Sequence, residues 1–196
     1  YKVTVGVIGT GNFGTALANL LSEKCNKVLL YARSKEKATK LIKSKKNGYH
    51  EIADNIDIIT DLSLLTKKCN LIFPIVPSIN FREMIKNLSP YLKPYHILIH
   101  GTKGFDFDKT KKNHNPLEKS ESQIFTMSEV IRQESSVVRI GCIAGPNLSK
   151  EIAKKMPAAS VIASEFDEVI ELGRKCLKSD RFLVFGSNDL MSTELC

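Results

Sequence analysis

"VGVIGTGNFGTALANLLSEKCNKVLLYARS", Val5 to Ser34, sets three glycines, Gly9, Gly11 and Gly14, between an apolar run and an amphipathic one. Residues 3–8 are short and β-branched, as a buried strand is. Beyond the glycines, Phe13, Ala16, Leu17, Leu20 and Leu21 recur at helical spacing. Gly9-Thr10-Gly11-Asn12-Phe13-Gly14 therefore joins a strand to a helix with G-x-G-x-x-G spacing. In such a turn the first glycine permits a tight bend and the second a close approach of backbone to a pyrophosphate. The third lets helix and strand pack closely. The free N–H groups of the helix start, with its dipole, favour negative charge. A glycine-rich turn without a ligand shares the bare pattern. The strand before it, the helix after it and a second strand at 27–32 favour dinucleotide binding.

The end of that second strand bears on which dinucleotide. An acidic residue there would accept hydrogen bonds from the ribose hydroxyls of NAD. This chain has Arg33, Ser34 and Lys35 instead. A guanidinium stacks on adenine and pairs with a 2′-phosphate, so the expected cofactor is NAD or NADP, with NADPH favoured. The competing reading makes Arg33 a solvated residue at a helix start.

The same alternation continues along the chain. Strands are expected at 57–60, 70–78, 95–100, 137–145, 158–164 and 181–186, and helices at 35–43, through Phe81, Met84, Ile85 and Leu88, and through Phe166, Val169, Ile170, Gly173 and Leu177. Near-continuous apolar strands alternating with helices predict an α/β fold: a Rossmann-like, doubly wound, mostly parallel sheet with helices on both faces. The polar stretch 109–122, broken by Pro116, reads as a mobile surface insertion.

Composition narrows the function class. With 196 residues and 42% hydrophobic content, the chain can bury a real core. No apolar run reaches the ~18–20 residues a membrane-spanning helix needs. The net charge of +8 invites a nucleic-acid partner, but 23 of the 29 basic residues are lysine, on segments that read as solvated faces. Aromatic residues do not interleave with them, so no nucleic-acid groove is expected. The positive field still favours small anions. Five cysteines without a CxxC pair read as reduced thiols, and no metal site is expected. The expected location is the cytoplasm, or an organelle after removal of a transit segment.

Two further turns sit at strand carboxyl ends, where open α/β sheets bind ligands. In "HGTKGFD", Gly101 and Gly104 bracket Lys103 and would present its ammonium. The bland reading is a turn with a solvated lysine. In "AGPNLSKEIA", Gly145 and Pro146 turn the chain ahead of Asn147 and Ser149, which serve either a ligand or ordinary helix capping.

Taken together, "GTGNFGTALA", "ARS", "VPS", "TKG" and "GPNLSKE", in this order, resemble the NAD(P)-dependent glycerol-3-phosphate dehydrogenases. The resemblance implies interconversion of dihydroxyacetone phosphate and sn-glycerol 3-phosphate, a step that feeds glycerophospholipid precursors, with a nicotinamide cofactor carrying the hydride. It assigns Gly9, Thr10, Gly11, Asn12, Phe13 and Gly14 to the pyrophosphate and Arg33 to the adenosine end. Phe81 falls near the cofactor, and Lys103 contacts substrate and cofactor. Gly145 and Asn147 fall on the substrate side, and Ser149 on the cofactor. "KNGYHEI" (46–52) departs from the family's N-P-x-Y-L-like segment. The family's second lysine, its general acid/base, would lie a few residues beyond Cys196. The expectation is thus a cofactor-binding domain over 1–186, with 187–196 opening a helical substrate domain. The partners implied are a small phosphorylated substrate and, for the longer protein, a second copy in a homodimer. Two other readings stay open: another dehydrogenase pairing such a domain with a helical one, acting on sugar acids or ketopantoate, or a non-catalytic NAD(P)H-sensing module.

Overall fold

The structure is a computed structural model that describes residues 3–107, 124–146 and 148–195. The stretch read as an insertion at 109–122, and Asn147, lie outside the described residues.

Eight strands form one sheet: β1 Thr4–Ile8, β2 Lys27–Tyr31, β3 Ile56–Ile59, β4 Leu71–Pro74, β5 Ile97–His100, β6 Arg139–Ala144, β7 Ala158–Ser164 and β8 Phe182–Ser187. Their order across the sheet is β8-β7-β6-β5-β4-β1-β2-β3. Every neighbouring pair is parallel except β6 and β7. The strands expected from apolar runs all take part. Their bounds agree for Ala158–Ser164 and shift by a residue for Ile56–Ile59 and Phe182–Ser187, while the run 70–78 is a strand only over Leu71–Pro74, because Pro74 and Pro77 offer no N–H to a ladder.

Alternation along the strands explains why their sequences are apolar throughout. Val28, Leu30, Leu71, Phe73, Ile97 and Ile99 enter one core cluster, and Leu29, Ile72 and Leu98 enter another. Successive side chains point to opposite faces, and both faces are covered. On the first face, Leu17 and Leu21 of α1 (Asn12–Ser22) pack with Val169 and Leu177 of α7 (Asp167–Leu177). The second face holds α3 (Leu62–Lys68), α4 (Phe81–Leu88) and α5 (Met127–Glu134), through Leu65, Phe81, Ile85, Leu88, Val130 and Ile131. Each such aliphatic or aromatic side chain contributes ~1.5–3 kcal/mol on full burial.

Helix α2 (Lys35–Ser44) is capped by Ser34, whose hydroxyl accepts from the Lys37 N–H. It leads into a small hairpin, Lys46–Asn47 paired with His50–Glu51, turned at Gly48 with φ +60°. A second small pair joins Asp106–Phe107 to Ile124–Phe125. The short helices α6 (Ser149–Ala153) and α8 (Leu190–Leu195) follow β6 and β8. Leu190 of α8 packs on Cys142 of β6 and Ala163 of β7.

Strand order reverses direction between β1 and β4: the chain builds outward through β2 and β3, then returns to build through β4, β5 and β6. The loops leaving the carboxyl ends of β1 and β4 part there, opening a crevice where ligands of such sheets bind.

Candidate functional site

The crevice begins with the glycines. Gly9 has φ +125°, and a Cβ on it would stand 2.0 Å from the Ile75 carbonyl oxygen. A Cβ on Gly14 would stand 2.1 Å from the Gly9 carbonyl oxygen. Both positions are closed to any side chain, so β1, the loop after β4 and α1 pack backbone against backbone. Gly11 differs: no atom lies within 4 Å of where its Cβ would be. The third and first glycines serve packing; the second faces open space.

Helix α1 starts at that open position. Its N-cap is Gly11, no side chain caps it among the described residues, and its first turn has no acidic residue. Thr15 donates both its N–H and its hydroxyl to the Gly11 carbonyl. The N–H groups of the first turn have no intrahelical acceptor, which leaves an anion-seeking helix end at the crevice.

The crevice, of about 370 Å³, is lined by Gly9, Thr10 and Gly11 on one side, and by Tyr31, Arg33, Ser34 and Lys37 at the end of β2 and start of α2. Ile75, Val76, Pro77 and the α4 residues Glu83 and Met84 form the opposite wall. Burial pushes the Tyr31 phenol above its ordinary range, with Arg33 opposing. The Lys37 ammonium donates to the Thr10 carbonyl at 2.8 Å, so a cation from α2 sits on the glycine turn itself. Asn47 donates to the same carbonyl at 3.0 Å and to Thr15 Oγ1 at 2.7 Å. The hairpin that departs from the family pattern thus braces the glycine turn. Lys37 falls one helical turn after the Ser34 cap, a register the sequence permits one to see. Asn47 lies in a stretch without periodicity, and no local signal marks it.

Neighbouring strand ends bring further predicted residues alongside. A Cβ on Gly101 would meet Ile75 Cδ1 at 2.7 Å, and Ile143 and Phe13 at 3.1 Å, so the end of β5 nests among the ends of β4 and β6 and the start of α1. Thr102 donates to the Val76 carbonyl at 2.7 Å, joining the "TKG" and "VPS" turns. Lys103 is exposed on that loop. Gly145 has φ +141° in the bend after β6. Ser149 opens α6, its Oγ 2.8 Å from the Tyr49 hydroxyl of the small hairpin. Phe81 is fully buried, edge-on to His100 with ring centroids 5.7 Å apart, in the core beneath the crevice rather than on its wall. Arg33 lines the crevice; Asn12, Phe13 and Gly14 form the first turn of α1 below it.

Behind the Lys103 loop lies a buried pair that sequence reasoning misses. His100 Nε2 is 2.9 Å from Glu194 Oε1 of α8 and 3.2 Å from Ser128 Oγ, and Ser128 N–H donates to the same carboxylate oxygen at 3.0 Å. Burial alone would raise the Glu194 pKa; the hydrogen bonds from His100 and Ser128 outweigh it and hold the carboxyl below its ordinary value. No serine–histidine relay exists here, because both partners meet the same ring nitrogen.

A sheet of this order, with a glycine turn and an uncapped helix at its switch point, defines a Rossmann-type nucleotide-binding domain. Residues 4–170 match the family model described as NAD-dependent glycerol-3-phosphate dehydrogenase N-terminus, and the chain belongs to that family. It is 34% identical over 199 residues to a glycerol-3-phosphate dehydrogenase [NAD(P)+] of Saccharophagus degradans, covering 99% of this chain and 51% of that protein. A protein of the same name from Acinetobacter baylyi is 33% identical over 196 residues, with coverages of 97% and 50%. Among solved structures, the glycerol-3-phosphate dehydrogenase of Coxiella burnetii superposes with TM-score 0.85 at 26% identity, over all of this chain and 57% of that one. The chain spans about half the length of the curated relatives it matches.

Proposed function

We propose that this chain is the cofactor-binding part of an NAD(P)-dependent glycerol-3-phosphate dehydrogenase, acting between dihydroxyacetone phosphate and sn-glycerol 3-phosphate. The observation that carries the reading is Gly11: the one glycine of the turn that faces open space stands at an uncapped helix start inside the crevice. The residues fit a dinucleotide. N–H groups of the first turn of α1 would hold the pyrophosphate, with Gly9 and Gly14 keeping the turn tight enough to present them. Arg33 and Ser34 would take the adenosine end, and the absence of an acid after β2 supports acceptance of NADPH at least as well as NADH.

The bound nicotinamide supplies a hydride donor or acceptor. What this chain adds is placement. Lys103, exposed on a loop tied to Val76, would stand beside the substrate oxygen that gains negative charge as the carbonyl is reduced. Gly145 and Asn147 would border the substrate and Ser149 the cofactor, on the resemblance to the family. On the same resemblance, a second lysine would belong to a helical substrate domain, with residues 187–196 as its lead-in.

Titrating NADPH and NADH into the chain, followed by nucleotide fluorescence, tests the cofactor assignment. Both should bind, NADPH at least as tightly; a clear preference for NADH contradicts the role of Arg33. The 196 residues should turn over little or no dihydroxyacetone phosphate. Robust reduction by this chain alone contradicts the division of labour.

A further inference from the structure

The geometry points to Arg82 as a positioning residue for Lys103, an inference that rests on the reading that Lys103 meets the bound nucleotide. Arg82 is the second residue of α4, in the first helical turn, where the macrodipole disfavours a cation. Its side chain is nonetheless three-quarters buried and fully engaged. Nε donates to Asp106 Oδ2 at 2.6 Å, Nη1 to Glu134 Oε1, and Nη2 to Gln133 Oε1 at 2.8 Å. The guanidinium lies 5.5 Å from the centroid of the Phe125 ring. One planar cation thus joins α4 to the end of α5 and to both strands of the small pair at 106–107 and 124–125.

Asp106 is the downstream end of the loop that carries Lys103. Upstream, Gly101 N–H donates to the Pro74 carbonyl at 3.1 Å and Thr102 Oγ1 to the Val76 carbonyl. Gly104, with φ +111°, rides so close to Ser78 that a Cβ would come within 3.1 Å of its hydroxyl. Gly101 and Thr102 before Lys103 and Gly104 after it all meet the stretch 74–78 that leads into α4. Arg82 supplies the fourth from α4 itself, so one template fixes both ends of the loop and leaves Lys103 exposed between them. Without Arg82, the Asp106 and Glu134 carboxylates, each 18% exposed, lose the cation they share, and among the described residues only Lys86, 3.9 Å from Glu134 and itself 57% exposed, stands by to offset them. That arrangement drives Asp106 outward and frees the loop.

The test is a cycle of NADPH dissociation constants for the wild-type chain, Arg82→Ala, Lys103→Ala and the double variant, with thermal unfolding to confirm folding. Arg82→Ala should weaken NADPH about tenfold, the loss of about one charge-assisted contact. Lys103→Ala should weaken it at least as much, and the double variant no further than Lys103→Ala. Arg82→Lys, which keeps the charge and loses the fork, should fall between. Should Arg82→Ala fail to fold, Asp106→Asn, which leaves the Arg82–Glu134 contact in place, should show the same loss and the same dependence on Lys103. Wild-type affinity in Arg82→Ala or Asp106→Asn, additive losses in the cycle, or a Lys103→Ala variant that binds normally would each overturn the assignment. A wild-type chain that binds neither NADPH nor NADH would instead bring down the dehydrogenase reading on which it rests.

Discussion

Gly9 and Gly11, two residues apart in sequence and opposite in surroundings, show what a single residue decides here. Gly9 is strained for any L side chain and abuts the Ile75 carbonyl; Gly11 meets nothing within 4 Å. Alanine at Gly9 should therefore cost stability, about 2–4 kcal/mol, through backbone strain and a forced shift of the loop after β4. Alanine at Gly11 should cost less than about 1 kcal/mol, because its backbone at φ −77° and ψ 177° suits any residue. It should nonetheless weaken NADPH binding by about tenfold or more, since its methyl occupies the approach to the helix start. Chemical denaturation and fluorescence titration of both variants separate the effects. A Gly11→Ala chain that binds normally would place the ligand elsewhere.

At the scale of elements, the last helix is tied through Glu194 to His100 at the end of β5 and to Ser128 of α5. Because the folded pKa of Glu194 lies below its unfolded value of 4.5, the carboxylate contributes stability that is fully present above pH 4.5 and lost as pH falls through the folded value. Thermal unfolding between pH 7 and pH 3 should show an acid limb that Glu194→Gln shortens while lowering the midpoint at pH 7. A limb unchanged by that substitution would mean other carboxylates govern it. Elements also show what could be read in advance. Strands buried on both faces announce themselves, since every residue in Leu71–Phe73 or Ile97–Ile99 must be apolar. A signal for α5 also stands in the sequence, the Thr126–Glu129 capping box, whose two reciprocal bonds the structure contains. The helix is short and follows a polar stretch, which hides it from periodicity. The hairpin over Lys46–Asn47 and His50–Glu51 has no such signal, being two residues a side and held by Asn47, which donates to Thr10 of the glycine turn and Thr15 of α1, and by Asn19 of α1, which donates to the Glu51 carbonyl.

For the whole molecule, the mostly parallel sheet and the glycine turn after its first strand are legible together, because strand–helix alternation argues for parallel strands covered on both faces. The strand order, with its one antiparallel pair among the described strands, is not. Nor are the electrostatic fastenings. Arg82 with Asp106, His100 with Glu194 and Lys37 with the Thr10 carbonyl are pairs that meet only after the sheet has formed, and no local spacing joins one partner to the other. Ligand binding should act on the whole domain as one unit. With NADPH at a hundred times its dissociation constant, the folded state should gain about 2.7 kcal/mol, seen as a rise in the thermal midpoint. The same addition to Gly11→Ala at equal concentration should give a smaller rise.

The most direct test of the account is the amide ¹H–¹⁵N spectrum of the chain during titration with NADPH. Saturable shifts should centre on the amides of Gly9 to Gly14, extending to Arg33 and Ser34, as the phosphates meet the first turn of α1. Saturation of binding with those amides unmoved, or no response to NADPH or NADH at all, would contradict it.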